Sequence, residues 1–287
     1  MKELMESLPP RLRQELRFAA REEELQEIHM RLGRRTEAVT GRSSILLEHR
    51  ARREELEAVL DTAMDRSYYA SQRFLREGFC TARGGCRIGI TGNVVQDEAG
   101  IKTIRDISGL NIRFARAFPG IAGQALGVLR EEPASMLIIG RPGCGKTTLL
   151  RDLIRRISDE LCQRVAVADT RYELGAVHEG RPMLDLGQRT DVLSGGKKAE
   201  SIAMLLRCMN PQWIAVDEIT AEEDVRALEN CHGCGVHLLA TAHAWDRFDL
   251  QRRPVYRAML HSGIFRYLAE MDGTGSYKMT ELEVEDG

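Results

Sequence analysis

The segment 140–148, Gly-Arg-Pro-Gly-Cys-Gly-Lys-Thr-Thr, constrains the fold of this chain more than any other stretch. It fits the phosphate-binding P-loop pattern, Gly-x-x-x-x-Gly-Lys-Thr, at every required position. Residues 135–139 before it form a short apolar run typical of a buried parallel strand. Residues 149–157 after it carry apolar side chains at helical spacing. A strand, a glycine loop and a helix in that order predict a phosphate-binding α/β domain.

The side chains of this loop suggest the ligand. Glycines permit backbone angles at which successive N–H groups converge on one anion, and the helix start adds partial positive charge. Lys146 would reach the β- and γ-phosphates, and the Thr147 hydroxyl would bind Mg²⁺. We therefore expect ATP and Mg²⁺, with the nucleotide held by Gly140, Arg141, Pro142, Gly143, Cys144, Gly145, Lys146, Thr147 and Thr148. The alternative, a chance match in a glycine-rich loop, is disfavoured by the two correct flanks.

The bulk composition excludes several classes of protein. The 287 residues are 43% hydrophobic and 29% charged, as in ordinary soluble globular proteins. The net charge of −2 gives no strong field toward nucleic acid, so no nucleic-acid partner is expected. No apolar run approaches the roughly 18 residues of a membrane span, and the acidic start lacks a signal core. We expect a cytoplasmic protein whose 7 cysteines are reduced thiols.

Strands and helices alternate beyond the P-loop. Strands are predicted at 165–169, 213–218 and 236–241, with helices at 199–208 and 222–230 before the second and third. This order predicts a parallel sheet covered by helices on both faces. The tail, at 265–271 and 276–284, reads as a terminal hairpin around an Asp-Gly turn.

The first part of the chain reads as a separate α+β domain for assembly or docking. Helices are predicted at 9–20, 52–64 and 67–76, a strand at 25–31 with more short strands through 47, and a hairpin at 87–95 and 101–107. Phe-Pro-Gly at 118–120 marks a boundary before a short helix at 121–129. We place the domains at 1–117 and 118–287.

A second strong signal is the Asp-Glu pair that ends the strand at 213–218. This is the Walker B arrangement, in which Asp217 would hold Mg²⁺ and Glu218 would align and polarise the attacking water. The alternative is that the two carboxylates cap the next helix, because acidic residues are favoured in a first helical turn. Their position some sixty residues after a P-loop favours the catalytic role.

Two other strand ends carry polar residues on the expected ligand side of the sheet. In the segment 169–173, the acids Asp169 and Glu173 could touch Mg²⁺ or orient water, and Arg171 could touch phosphate. The alternative, which the position at a strand end disfavours, is a loop ion pair. His243 could sense the γ-phosphate or bridge to a neighbouring subunit, and a purely structural histidine is as compatible with the spacing.

Arginines and cysteines give weaker signals. Arg181, Arg189 and Arg207 could donate charge to the phosphoryl transition state from the same or an adjacent subunit, although most arginines are surface groups. Cys231 and Cys234 with His237 suggest zinc. Because there is no second Cys-x-x-Cys pair, thiols in a helix–strand turn are the simpler interpretation.

The ordered set of motifs resembles the stage III sporulation protein AA family. It comprises Arg-Pro-Gly-Cys-Gly-Lys-Thr-Thr-Leu-Leu-Arg-Asp at 141–152, the segment 169–173, Leu-Gly-Gln-Arg-Thr-Asp-Val-Leu at 186–193, Val-Asp-Glu-Ile at 216–219 and Ala-Thr-Ala-His at 240–243. Upstream, Arg-Ile-Gly-Ile-Thr-Gly at 87–92 and Ile-Arg-Asp-Ile-Ser-Gly-Leu-Asn-Ile-Arg-Phe-Ala-Arg at 104–116 are also similar. The resemblance covers nearly the whole chain and is weakest over the first sixty residues.

That family is similar to type II and type IV secretion and pilus ATPases. The resemblance implies a RecA-like ATPase domain joined to a smaller N-terminal α+β domain, and a hexameric ring with ATP between subunits. It implies a place in the mother-cell cytoplasm, at the base of a channel to the forespore, docked on membrane partners. It assigns 169–173 to the acidic box, Thr241 and His243 to the histidine box, and Arg207 to the Leu-Arg before Walker B.

Two departures from the pattern and two alternative functions remain. The acidic box begins with Asp169 where secretion ATPases usually have Glu, so water positioning could fall to Glu173 or Glu218. The Cys231/Cys234 pair is not a feature we associate with the family. The leading hypothesis is a ring ATPase that powers export or channel assembly. The alternatives are a nucleic-acid-stimulated motor and a nucleotide-gated scaffold with little hydrolysis.

Overall fold

Two β-sheets organise the chain, and each belongs to its own structural unit. The computed structural model describes residues 2–21, 24–41, 43–64, 78–98, 100–114 and 118–282. One unit comprises Met1–Ala115 with Ala176–Leu184, and the other comprises Arg116–Gly175 with Asp185–Gly287. The segment Ala176–Leu184 therefore packs with the N-terminal residues, although the chain on both sides of it belongs to the second unit.

A six-stranded antiparallel sheet forms the centre of the N-terminal unit, in the order β3-β2-β1-β6-β5-β4. The strands are β1 (Leu25–Arg31), β2 (Arg35–Thr40), β3 (Ser44–Arg50), β4 (Phe79–Ala82), β5 (Cys86–Asp97) and β6 (Gly100–Arg113). Helices α1 (Lys2–Ser7), α2 (Pro10–Ala19) and α3 (Arg53–Ala63) also belong to this unit.

Helix α3 shows how this sheet is covered. Its residues Leu56, Val59, Leu60 and Ala63 recur three and four positions apart and are all buried. Side chains at that spacing lie on one face of a helix, so α3 presents one apolar stripe. That stripe joins the inward residues of the strands in a single hydrophobic cluster.

A seven-stranded sheet forms the centre of the C-terminal unit, in the order β13-β12-β7-β11-β10-β8-β9. The strands are β7 (Met136–Gly140), β8 (Val165–Asp169), β9 (Thr190–Ser194), β10 (Trp213–Val216), β11 (His237–His243), β12 (Tyr267–Met271) and β13 (Tyr277–Glu281). All pairings are parallel except that of β12 with β13. The helices are α4 (Gly123–Glu131), α5 (Lys146–Glu160), α6 (Lys198–Met209), α7 (Glu222–Gly233), α8 (Arg247–Arg252) and α9 (Pro254–His261).

Alternate residues of the parallel strands belong to two hydrophobic clusters, one on each face of the sheet. On β7, Met136 and Ile138 join the cluster that contains the apolar stripe of α5, whereas Leu137 and Ile139 join the cluster of α6, α7 and α9. Successive side chains of a strand point to opposite faces, so a strand covered on both sides is apolar throughout. This is why these strands read as unbroken apolar runs.

The two edges of this sheet are formed by different segments of the chain. We call the ends of β7, β8, β10 and β11, at Gly140, Asp169, Val216 and His243, the carboxyl edge. We call the opposite side, where residues 133, 163–164, 210–212 and 234–236 lead into the strands, the amino edge. Helices between parallel strands run back across the sheet, so each begins at the carboxyl edge and ends at the amino edge.

The α/β class and the parallel sheet are confirmed, and most predicted elements lie within two or three residues of the observed ones. The strand predicted at 213–218 was too long, because it ends at Val216 and the Asp-Glu pair follows it. Pairing in the predicted hairpin extends further, from Arg87 opposite Arg113 to Asp97 opposite Gly100. Strands β4 and β9 and helices α1, α8 and α9 were not predicted.

The helix predicted at 67–76 and the last residues of the predicted terminal hairpin lie outside the described residues. In the ranges that the structure describes, no helix combines the length and the apolar character that crossing a membrane requires.

Candidate nucleotide-binding site

The loop between β7 and α5 is shaped by glycines at both of its ends. Gly140 has φ +154°, and a Cβ there would lie 2.5 Å from Cys144 Sγ and 2.9 Å from Met271 Cβ. Gly145 has φ +103° and immediately precedes the first turn of α5. A residue with a Cβ would clash at the first position and be strained at the second. The loop can therefore turn tightly and present backbone N–H groups at the helix start.

The Lys146 ammonium lies under this loop and is largely buried. Its Nζ donates to the carbonyl oxygens of Gly140 (2.8 Å) and Arg141 (2.9 Å), and to His243 Nδ1 (3.0 Å). Burial lowers the pKa of Lys146, and the negative charge of Asp217 opposes that shift. The three donors of the ammonium are thus directed within the loop and toward the end of β11, where a phosphate would be bound.

Thr147 and Asp217 meet at the carboxyl edge, although they are 70 residues apart in sequence. Thr147 Oγ1 donates to Asp217 Oδ2 at 3.1 Å, and the buried Thr241 Oγ1 donates to Asp217 Oδ1 at 2.7 Å. The Asp217 carboxylate, itself 7% exposed, is therefore oriented by hydroxyls from α5 and β11. A hydroxyl beside a fixed carboxylate offers hard oxygen ligands of the type that Mg²⁺ prefers.

Glu218 follows directly, and its side chain faces two cationic or titratable groups. Arg171 Nη1 pairs with Glu218 Oε2, and His243 Nε2 lies 3.4 Å from Glu218 Oε1. Burial is the main cause that lowers the pKa of His243, and the neighbouring Lys146 charge adds to it. A neutral imidazole whose Nδ1 accepts from Lys146 carries its proton on Nε2, which then points toward Glu218.

The acidic segment at the end of β8 is built around Asp169. Its fully buried carboxylate accepts from the backbone N–H groups of Glu173 (2.8 Å), Leu174 (3.1 Å) and Gly175 (2.9 Å). Burial raises the pKa of Asp169, and these hydrogen bonds oppose that rise. Arg151 of α5 donates to the carbonyl oxygens of Glu173 and Leu174. Asp169 thus anchors the loop that carries Glu173, and its expected role toward Mg²⁺ stays a prediction.

Within one subunit, the structure places Arg207 at the opposite edge of the sheet from this site. Arg207 is exposed near the end of α6, in a cleft of about 630 Å³ at the amino edge. Arg189 also lies at the amino edge, with its backbone N–H on Ser158 Oγ. Arg181 belongs to the segment Ala176–Leu184 of the N-terminal unit. The expected role of Arg207 in phosphoryl transfer stays a prediction.

Cys231 and Cys234 lie at the end of α7, near the amino edge. Cys231 is fully buried in α7, and burial raises its pKa to about 11. Cys234 is exposed at the turn after this helix. In the described ranges, no three His, Cys, Asp or Glu side chains come together as a metal-binding set. The Mg²⁺ expected at Thr147 and Asp217 needs only two protein ligands, because phosphates and water supply the others.

Two residues of the carboxyl edge were missed by the sequence reasoning. Lys198, the first residue of α6, donates from Nζ to the backbone carbonyl of Glu218. The second is Trp245, which is 62% exposed and over whose ring the Arg141 guanidinium of the loop stacks at 3.9 Å. Two sequence features could have pointed to them: the Gly-Gly-Lys-Lys run at the start of a predicted helix for Lys198, and the aromatic residue two positions after His243 for Trp245.

The residues at the carboxyl edge fit a magnesium–nucleotide site. The loop offers N–H donors, a buried cation beside them, and a hydroxyl–carboxylate pair with hard oxygens. Together, the parallel sheet, the glycine loop and the Asp-Glu strand end define a RecA-like P-loop ATPase fold with a smaller α+β unit.

Solved structures of that class share this fold. The pilus retraction motor PilT with bound ADP aligns with a TM-score of 0.63 at 14% identity, covering 92% of this chain and 81% of its own. The ATPase DotB of Yersinia pseudotuberculosis aligns with a TM-score of 0.60 at 14% identity, covering 92% of this chain and 75% of its own. At these identities the likeness establishes the fold.

Sequence comparison defines the family. The profile described as "Sporulation stage III, protein AA" matches residues 2–278. The Stage III sporulation protein AA of Bacillus subtilis (strain 168) is 34% identical over 295 aligned positions, covering 100% of this chain and 96% of that protein. The chain belongs to the sporulation stage III protein AA family, as its motifs predicted.

Proposed function

We propose that this chain is a magnesium-dependent ATPase of the secretion type that acts in sporulation. The observation that carries the proposal is the meeting of Thr147 Oγ1 and Asp217 Oδ2 at 3.1 Å beside the glycine loop, with Glu218 next in the chain. A Mg²⁺-binding pair next to a buried lysine is the arrangement that P-loop nucleotide hydrolases use. The ATPase class of the structural neighbours supports the same activity.

Each residue then has a role that its contacts allow. Lys146 exchanges its bonds to the loop carbonyls and His243 for bonds to phosphate oxygens, and residues 140–148 enclose the phosphates with backbone N–H groups. Thr147 and Asp217 hold Mg²⁺, which when bound neutralises negative charge on the phosphates. Glu218 orients the attacking water. His243 senses the γ-phosphate because it contacts both Lys146 and Glu218. Asp169 and Glu173 form the acidic box beside them.

Hydrolysis, rather than binding alone, is favoured by the way Glu218 is held. Its carboxylate is 16% exposed and is oriented by Arg171 and His243 from two directions. A scaffold that only binds nucleotide has less need of such an oriented carboxylate. Charged and titratable groups that contact one another in one place are typical of a reactive site.

The proposed role of the motor is to power or assemble a channel between the mother cell and the forespore. The family name supports a part in sporulation, and the structural likeness to a pilus retraction motor supports mechanical work. We propose a homo-oligomeric ring, a hexamer, in which ATP binds between subunits and Arg207 reaches a neighbouring subunit's site. The protein would act from the mother-cell cytoplasm, associated with the membrane through partner proteins.

The test is ATP hydrolysis per subunit as a function of protein concentration, with Lys146→Ala as the inactive control. Specific activity that rises with concentration and is absent in the variant supports a shared site in a ring. Turnover that stays near zero at every concentration, while ATP still binds, would contradict the motor and favour a nucleotide-gated scaffold. Stimulation by single-stranded nucleic acid alone would favour a nucleic-acid motor instead.

A further inference from the structure

We propose that Lys198 is a positioning residue that fixes the backbone, and thereby the carboxylate, of Glu218. This inference rests on the proposed ATPase function and assigns to it a residue outside the P-loop, Walker B and histidine segments. It starts from the backbone of Glu218, which has φ +52°. L-residues with a side chain disfavour that left-handed conformation, so neighbouring groups must hold it. Strained backbone of this kind concentrates at functional sites.

Hydrogen bonds hold the Glu218 peptide groups on both sides. Its backbone N–H donates to Thr241 Oγ1 at 2.8 Å, and its carbonyl oxygen accepts from Lys198 Nζ. The next residue, Ile219, donates its N–H to the Thr241 carbonyl at 2.8 Å. Lys198 is thus the side chain that fixes the carbonyl side of the strained residue, as Thr241 fixes the amide side.

Lys198 is itself anchored. It begins α6 shortly after Gly195 and Gly196, both at positive φ, and its side chain is only 9% exposed. Its Nζ lies 3.5 Å from Asp224 Oδ2, which also accepts from the backbone N–H of Thr220 at 3.1 Å. Burial lowers the pKa of Lys198, and the Asp224 charge opposes that shift. A buried, paired ammonium on a helix start is a rigid support for the turn.

The geometry links this support to the reaction. Rotation of the Glu218 peptide would move its side chain away from Arg171 and His243, which flank the carboxylate. The Asp217 contacts to Thr147 and Thr241 do not involve Lys198, so binding of magnesium nucleotide has separate support. Loss of Lys198 should therefore slow the chemical step and leave nucleotide binding largely intact.

The experiment compares Lys198→Met with Lys197→Met in steady-state ATP hydrolysis by the full chain. Lys197 is the matched control, because it is the neighbouring lysine with an 84% exposed side chain. We expect Lys198→Met to lower kcat about 10- to 100-fold, the usual cost of a misplaced catalytic group, with KM for Mg-ATP within about twofold. Lys197→Met should match the wild type, and Lys198→Arg should recover much of the lost kcat.

A double variant separates positioning from a merely structural role. If Lys198 acts through Glu218, Lys198→Met in a Glu218→Gln background should not lower the residual rate further. If the two substitutions together lower kcat by the product of their separate effects, the assignment is overturned. A raised KM with unchanged kcat in Lys198→Met would overturn it as well. If the wild type hydrolyses ATP and Lys198→Met is equally active, the assignment of Lys198 is overturned while the proposed ATPase function stands. Absence of turnover in the wild type would instead remove the proposed function and this inference with it.

Discussion

The two edges of the seven-stranded sheet carry charged residues in different ways. At the carboxyl edge, Lys146, Asp169 and Asp217 are 5%, 0% and 7% exposed, and each makes two or more hydrogen bonds. At the amino edge, Arg164 and Arg207 are exposed around an open cleft. Burying a charge is unfavourable unless it is paired, so the carboxyl edge carries a cost that the amino edge does not.

The difference separates buried charges that have polar partners from charges that water solvates. Exposed arginines need no special arrangement, because water solvates them at little cost. The buried charges persist only with hydroxyls, carbonyls and N–H groups directed at them, as Thr241 is directed at Asp217. Buried charges that support one another in this way are typical of functional sites, and the proposed function assigns them such a role.

The largest expected effect is that of removing the charge of Asp217. Asp217→Asn keeps the shape that Thr147 and Thr241 contact but removes the charge that attracts Mg²⁺. We expect kcat for ATP hydrolysis to fall about 100- to 1,000-fold, as when a main electrostatic group is lost. Steady-state kinetics across a Mg²⁺ titration measures it. Asp191→Asn, an exposed carboxylate of β9, is the control, and equal activity of the two variants would refute the site.

A smaller effect should distinguish the packing of the two edges. Gly140 at the carboxyl edge and Gly235 at the amino edge both have positive φ, but only Gly140 has atoms where a Cβ would be placed. Gly235→Ala should lower the free energy of unfolding by about 1–2 kcal/mol through backbone strain. Gly140→Ala should lower it by about 1–3 kcal/mol more, through the clash with Cys144 and Met271.

Urea unfolding followed by circular dichroism measures both glycine variants under the same conditions. Equal losses for the two substitutions would mean that the glycine loop is not closely packed against β12. A larger loss for Gly235→Ala would reverse the comparison between the edges.

The pH dependence of stability should reveal His243. Its pKa is lowered, mainly by burial, so the unfolded chain binds more protons than the folded chain when the pH falls below about 6.5. The free energy of unfolding should therefore be constant above that pH and fall below it, by at most about 1.4 kcal/mol per pH unit for this residue. His243→Gln should remove that part of the slope.

Unfolding free energies at pH 7.5 and 5.5 for the wild type and His243→Gln test this sign. His261→Gln is the control, because His261 is exposed at the end of α9. A difference between the two pH values that His243→Gln leaves unchanged would place the titrating group elsewhere.

Most of the carboxyl edge could be predicted from sequence because its signals are local. The glycine spacing at 140–148 and the polar residues at or just after strand ends, Asp169, Asp217 and His243, lie within short windows, and parallel strands bring such ends together. Lys198 could not be recognised in the same way, since its burial depends on Asp224 and Glu218, residues distant in sequence. The packing of Ala176–Leu184 with the N-terminal unit likewise depends on residues distant in sequence, so no local pattern predicts it.

The position of Arg207 at the amino edge, by contrast, was open to prediction. A helix that precedes a parallel strand ends at the amino edge, and Arg207 lies nine residues beyond Lys198. At 1.5 Å per residue this places it roughly 14 Å along α6 from the helix start. The family motif suggested a catalytic residue, whereas the direction of the helix places it at the far edge.

The smallest expected effect follows from that position. Arg207→Ala removes an exposed side chain at the edge opposite the glycine loop, so turnover per subunit should stay within about twofold at protein concentrations where specific activity is still low. The dependence on concentration then decides its role. If the variant falls behind only as wild-type activity rises, and mixing it with Lys146→Ala restores activity, the two residues act on one nucleotide from adjacent subunits. If it matches the wild type throughout, the amino edge takes no part in hydrolysis.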